Sequence, residues 1–288
     1  LEGIAMDNLS RGPNSSQIRQ PAVAGMFYPG NSSELAHELR TLLHAAASKV
    51  TCNDAPKAIV APHAGYVYSG PIAARIYARI APAASRIRRV VLLGPTHRVA
   101  VDGLALPAAT HFATPLGDIE IDRAAADMLA DMPQVGISDL PHSQEHSLEV
   151  QLPFLQALLP QFRLLPLAVG RASAEAVAAV LERLWGGDET LIVVSSDLSH
   201  YLPYAAAREI DAATARRILA GDPDISHDEA CGATPLNGLL LAARHHGLHA
   251  EMVDLRNSGD TAGDRSRVVG YGGFAFYPES TGGSGHVQ

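Results

Sequence analysis

Lys57-Ala58-Ile59-Val60-Ala61, running directly into Pro62-His63-Ala64-Gly65-Tyr66, is the stretch on which the fold turns. A short apolar run that ends in a polar turn reads as a central strand buried on both faces, since a strand half in water would alternate. Two more runs repeat the pattern. Arg89 to Gly94 leads into Pro95-Thr96-His97-Arg98, and Leu191 to Ser195 leads into Ser196-Asp197-Leu198-Ser199-His200. Helical periodicities fall around them: Glu34 to Ala47 after a capping Asn31, Pro71 to Ile80, Arg123 to Asp131, Ser147 to Leu158, Ala174 to Trp185, Tyr204 to Ala220 and Thr234 to His246. Such alternation predicts a single α/β domain whose central sheet carries helices on both faces. Val101 to Ile121, with Pro107, Pro115 and Gly117, reads as a hairpin excursion and Arg267 to Phe276 as a final strand, so the sheet is expected to be mixed.

The bulk numbers agree. A chain of 288 residues, 47% hydrophobic and 18% charged, has enough apolar material for one core around one sheet. A net charge of −8 with no Lys/Arg cluster excludes a phosphate-backbone footprint, so nucleic acid is not an expected partner. Two cysteines, Cys52 and Cys231, are too few for a disulfide framework. With no long apolar run or signal-peptide core, they lead to an expectation of a cytoplasmic protein without membrane contact. Residues 1–18 and 279–288 are expected to be flexible ends around a domain spanning 19–278.

The chemistry is expected where the three strands end. Each run is followed by a histidine, His63, His97 or His200, and ligands of open α/β sheets bind beyond the carboxyl ends of the strands. A lone loop histidine is usually an ordinary polar or capping group, but three in matching positions favour convergence. His142-Ser143-Gln144-Glu145-His146-Ser147-Leu148-Glu149 adds two histidines and two carboxylates. The order fails the His-Glu-x-x-His zinc-protease pattern, and Ser147 and Glu149 read equally well as a helix N-cap and a first-turn carboxylate. Cys231, in Glu229-Ala230-Cys231-Gly232-Ala233-Thr234-Pro235, precedes an expected N-cap at Thr234 with proline at the first helical position. Near that N-terminus its thiol pKa should fall, whereas a buried core thiol is the alternative. Neither a dinucleotide or P-loop motif nor a G-x-S-x-G elbow is present, which disfavours nucleotide cofactors and a serine hydrolase built on Ser195 or Ser196.

Taken together, Gln20-Pro21-Ala22-Val23-Ala24-Gly25-Met26-Phe27-Tyr28-Pro29, Ala61 to Tyr66, Gly94 to His97, Glu145 to Glu149, Ser195 to His200, and Gly259-Asp260 before Val268-Val269-Gly270-Tyr271 resemble the Memo family. Its bacterial and archaeal members are called AmmeMemoRadiSam system protein B. The family in turn resembles class III extradiol dioxygenases, which hold iron(II) on two histidines and a glutamate. The resemblance implies that fold, with His63 and His97 as metal ligands and Cys231 in the third position. It also implies His200 as the acid/base group with Asp197 beside it to orient its ring, and His146 as a pocket group. A thiolate in place of a carboxylate makes copper and zinc competitors to iron(II). The expected function is a metal-binding cleft, dioxygenase-like in its chemistry, acting on a small molecule. The alternative is a non-catalytic adaptor that binds a peptide or metal in the same cleft. Other AmmeMemoRadiSam system proteins are the partners implied. A structural site is disfavoured because closed sites use four protein ligands and three candidates stand out.

Overall fold

The run ending at Ser195 divides its side chains between two cores. Leu191 and Val193 join one apolar cluster, Ile192 and Val194 the other. The same division separates Ile59 and Ala61 from Ala58 and Val60, and Val90 and Leu92 from Val91 and Leu93. Because strand side chains alternate between faces, each run is a strand buried on both sides.

The computed structural model describes residues 18–47 and 54–279. Along the chain, strand β1 (Ile18–Arg19) precedes helix α1 (Ser32–Ala47), β2 (Ala58–Ala61) leads into α2 (Tyr66–Tyr77), and β3 (Arg89–Pro95) leads into three short strands, β4 (Leu104–Leu106), β5 (His111–Thr114) and β6 (Gly117–Glu120). Then come α3 (Arg123–Asp127), β7 (Val135–Ile137), α4 (Leu140–Ser143), α5 (Leu152–Leu158), β8 (Arg163–Val169) and α6 (Ala174–Leu184). The last third holds β9 (Thr190–Ser195), β10 (His200–Leu202), α7 (Tyr204–Leu219), α8 (Ala233–His245), β11 (Leu248–Asn257) and β12 (Val268–Pro278).

Nine strands form one mixed sheet in the order β10-β12-β2-β9-β3-β8-β4-β7, with β11 also paired to β12. The four central strands β2, β9, β3 and β8 are parallel, and the flanking pairs β12 with β2 and β4 with β8 are antiparallel. Helices α1, α2 and α5 cover one face through Leu35, Tyr77 and Phe154, while α6, α7 and α8 cover the other through Val180, Ile218 and Leu239. The expected α/β fold, a mixed sheet with helices on both faces, is therefore present. The hairpin excursion is present too: β5 pairs with β6 antiparallel and with β1 parallel in a small second sheet. No helix among the described residues is long and apolar enough to cross a membrane. The expected flexible ends lie outside the described residues apart from Ile18 and Glu279, as does Cys52.

Five strands lie outside the runs expected from sequence, the short β1, β7 and β10 and the longer β8 and β11. In β8, Arg-Leu-Leu-Pro-Leu-Ala-Val carries Pro166 at its centre, a residue that normally argues against a central strand. On the side away from β3, the carbonyl of Leu164 accepts from the Asp122 N–H and Ala168 pairs with β4. Pro166, two residues from each, lies on that same edge between them, so its missing N–H faces the gap and no ladder bond is lost. The other long one, β11, is half-polar and only partly buried, and lacks a buried run's signal.

Four helix starts also differ, the first only in that α1 begins at Ser32 and not Glu34. Helix α2 begins at Tyr66 and takes Pro71 into its interior, where the forfeited bond is to Val67, an exposed position open to water. Helix α8 starts after Gly232, not Thr234, and no side chain caps it. The helix expected from Ser147 is a turn up to Leu148, a 3-10 turn over Glu149–Gln151 and only then α5. Ser147 and Glu149 are not cap and first-turn groups, because both side chains are spent on distant partners.

Candidate metal centre

The register of the parallel strands brings their ends level: Ala61 lies beside Ser195, Leu93 beside Val194 and Pro95 beside Val169. Two residues beyond each of β2, β3 and β9 stand His63, His97 and Asp197, so residues far apart in sequence meet above the sheet.

His63 is buried, and its surroundings determine its tautomer. Its Nδ1 lies 2.9 Å from Ser195 Oγ. That hydroxyl has one proton, which it gives to the Ser147 carbonyl at 2.6 Å, and it accepts another from Gln151 Nε2 at 2.8 Å. Nδ1 must therefore be the donor to Ser195, and Nε2 carries the lone pair into the cleft. Burial, reinforced by the charges of the neighbouring histidines His97, His146 and His200, holds the ring's pKa well below the ordinary histidine value, so it stays neutral and able to ligate.

Glu145 orients the second ring. It is buried, and its carboxylate accepts from the His97 N–H at 2.6 Å and from His97 Nδ1 at 2.8 Å, leaving Nε2 of a neutral His97 ring unprotonated. The same carboxylate accepts from the backbone N–H groups of His146 and Ser147, each at 2.9 Å, and lies 3.3 Å from His146 Nδ1. Burial pushes its pKa up, but the bonds from His97 and Ser147 and the charge of His97 outweigh that and bring it down to about 2. His146 is held neutral by burial, its pKa lowered to about 4.

One nitrogen from each of His63, His97 and His146 lies within 4.8 Å of the other two. Their rings pack with centroids 5.2 Å apart for His63 and His97, 5.4 Å for His63 and His146, and 4.7 Å for His97 and His146. Cys231 approaches from the His63 side, its Sγ 3.2 Å from His63 Nε2. Its position comes from a tight meeting of two turns. The Cys231 N–H donates to the Asp197 carbonyl and the Gly232 N–H to Ser196 Oγ, and a Cβ at residue 232 would lie 2.7 Å from the Ser195 carbonyl oxygen. The lowered thiol pKa expected from the helix terminus is not found. Burial first, then the Asp197 charge, pushes it up to about 12. The thiol is protonated until a cation replaces its proton.

His200 lies outside the three-nitrogen group. Its Nδ1 donates to the Leu198 carbonyl at 2.8 Å, so that carbonyl, and not Asp197, orients the ring. Asp197 turns instead to the metal-ligand candidate, accepting the His63 N–H at 2.8 Å, with its other oxygen 4.0 Å from His63 Nε2. Burial raises its pKa to about 7, against the pull of the His63 and Ala64 N–H groups and the His97 charge.

This donor set, imidazoles with their distal nitrogens held by carboxylate or hydroxyl, suits a transition metal. A family model described as Memo-like protein matches residues 19–275. The chain belongs to the Memo family. A MEMO1 family protein of Archaeoglobus fulgidus is 34% identical over 276 residues, covering 90% of this chain and 99% of that protein. Another, of Aquifex aeolicus, is 37% identical over 273 residues with the same coverage. Among solved structures, an uncharacterized protein of Escherichia coli K12 matches at a TM-score of 0.46 and 14% identity, over 74% of this chain and 98% of that one. That likeness is too distant to carry an argument.

For three parts of the site in this Memo-family chain, only the folded structure gives the role. Glu145 and Ser195 fix the histidine tautomers; both stand in stretches quoted above, but nothing local says which ring each one holds. The third is the Gln20–Pro29 motif, which forms a wall: Phe27 packs on His146 at 4.9 Å between centroids. Buried Glu149 ties that wall down by accepting from the Ala22 and Val23 N–H groups, Tyr28 Oη and the Arg19 guanidinium. A tight glycine would have been the one available signal, since Gly94 leaves no room for a Cβ beside Ser147. Beside His97 and Cys231 opens a cleft of about 910 Å3, lined also by Val169, Arg171, His227 and Thr234.

Proposed function

We propose that this Memo-family protein holds one redox-active metal ion, iron(II) with copper and zinc as competitors, and acts as a dioxygenase-like oxidoreductase on a small molecule entering the cleft. The observation that carries the reading is the convergence of imidazole nitrogens from His63, His97 and His146 beside an open cleft that His97 and Cys231 line. His63 and His97 serve in either version of the ligand set. The third position falls to His146, already within reach of both, or to Cys231, which the resemblance favours and which touches the His63 side.

Iron(II) would supply Lewis acidity and one-electron chemistry at positions left open by three protein ligands. The chain's own residues do the rest. Ser195 and Glu145 hold protons on the Nδ1 atoms of His63 and His97, keeping both Nε2 lone pairs forward. His200 lies near enough to His97 for their charges to interact, and burial lowers its pKa, so its Nε2 can take a proton from a bound substrate.

Anaerobic loading with Fe2+ is expected to give one ion per chain in the wild type and a clear loss in His63→Ala. Equal metal content in the two would refute the ligand assignment. Loading with Co2+ decides the third ligand, since a thiolate-to-cobalt band in the near ultraviolet, lost in Cys231→Ser, reports sulfur ligation. Oxygen uptake with catechol-type substrates tests turnover. Iron binding without any uptake would replace the enzyme reading by the non-catalytic one, in which removing the metal leaves ligand affinity unchanged.

A further inference from the structure

At the far end of α8 from Cys231, a second group of metal-binding atoms comes together on the surface. Helix α8 begins two residues after Cys231 and ends at His245, so its 13 residues separate the two places by about 20 Å. There His245 Nδ1 and His246 Nε2 each lie 2.8 Å from a different oxygen of the Glu182 carboxylate on α6. The two helices approach closely because residue 238 is glycine, where a Cβ would lie 2.4 Å from Val177. One nitrogen from each histidine and one carboxylate oxygen thus sit within 4.8 Å of one another.

We propose that Glu182, His245 and His246 form a second binding site, for a late first-row divalent cation such as Zn2+ or Ni2+. Three features distinguish the group from a pair of surface hydrogen bonds. His246 is clamped before any ion arrives, stacked on Trp185 with ring centroids 3.8 Å apart and planes 6° from parallel, so little side-chain freedom remains to be lost on binding. Both imidazole nitrogens point at one carboxylate, and an ion that enters between two neutral rings moves each ring proton to its other nitrogen. The site also lies against the C-terminal end of α8, where the helix dipole favours positive charge. Two imidazoles and one carboxylate select Zn2+, Ni2+ or Cu2+ over the oxygen-seeking Ca2+ and Mg2+. Three protein ligands leave room for water or a further group from solvent.

Trp185 is the chain's only tryptophan, so its emission reads this site and not the cleft. Ni2+ quenches an indole held against a ligating imidazole. Titration of the wild-type protein is expected to give saturable loss of emission. His245→Ala alters an exposed side chain and leaves the Trp185 stack in place, and Glu182→Gln keeps the carboxylate's shape without its charge. Each is expected to shift the midpoint by at least the 10- to 100-fold typical of losing even an outer partner of a metal ligand. Circular dichroism confirms that each variant is folded. His97→Ala, which cuts the cleft site, should quench like the wild type. The proposal is overturned by the absence of saturable quenching in the wild type, by an unchanged midpoint in folded His245→Ala, or by loss of quenching in His97→Ala. That last control keeps failure here distinct from failure of the cleft assignment.

Discussion

Ser195 Oγ lies 2.9 Å from Nδ1 of His63, and this contact decides which nitrogen of the ring faces the cleft. With its own proton committed to the Ser147 carbonyl, the hydroxyl can only accept from the imidazole. Ser195→Ala therefore frees the ring to take either tautomer and to rotate. Affinity for Fe2+, measured by anaerobic competition with a chelator, is expected to fall about 10- to 100-fold, as when other partners behind a metal-binding histidine are removed. An unchanged affinity would mean that the tautomer is fixed some other way.

The three runs that end at Ala61, Gly94 and Ser195 were legible because burial on both faces leaves an unbroken apolar stretch, and the strand-end rule then anticipates that the His63 and His97 rings meet beyond them. Pro166 hid the fourth parallel strand, since nothing local says that its missing donor faces a gap between partners. Glu149 looked like a first-turn carboxylate because its real partners, Arg19 and Tyr28, lie more than a hundred residues away. The resemblance implied His146 only as a pocket group, whereas its closeness to His63 and His97 follows from Glu145, whose several hydrogen bonds only the folded chain reveals.

Glu149 is wholly buried and paired with Arg19, itself nearly so. In Glu149→Gln the guanidinium keeps its bonds to the His142 and Glu145 carbonyls but loses its counter-charge. Breaking one partner of a buried pair costs about 3–5 kcal/mol. Urea unfolding should show that loss in the midpoint, and a change under about 1 kcal/mol, the scale of an exposed pair, would refute the role given to this pair.

Gly94 lies under the loop that carries His146. A Cβ there would come 2.8 Å from Ser147 Oγ and 3.0 Å from Leu148 Cδ2, both packed in place. Because Ser147 Oγ donates to the Pro95 carbonyl, the loop cannot give without breaking that bond. Gly94→Ala is expected to cost about 1–3 kcal/mol, as overpacking does, and to weaken metal binding alongside. A variant that loses stability but keeps full metal affinity would separate this loop from the site.

His142 gives the protein an acid-sensitive element apart from the cleft. Burial, and next to it the Arg19 charge, lowers its pKa to about 4, against the contrary pull of the Ala105 carbonyl that takes its Nε2 proton at 2.9 Å. Its Nδ1 is buried without a hydrogen-bond partner, so protonation would place an unpaired charge in the core. An unfolded histidine titrates near 6.5, hence between pH 6.5 and 4 the unfolded chain binds a proton that the folded one refuses. This contribution is intact above pH 6.5 and is lost progressively as pH falls toward 4, by about 3 kcal/mol at 1.36 kcal/mol per unit. His142→Gln keeps a donor for Ala105 without a titrating ring. Urea unfolding across this range should give the variant a shallower fall in stability than the wild type, the difference isolating His142 from His63, His146 and His200, whose lowered pKa values act in the same direction. Parallel stability curves for the two proteins would show that His142 is not the residue responsible.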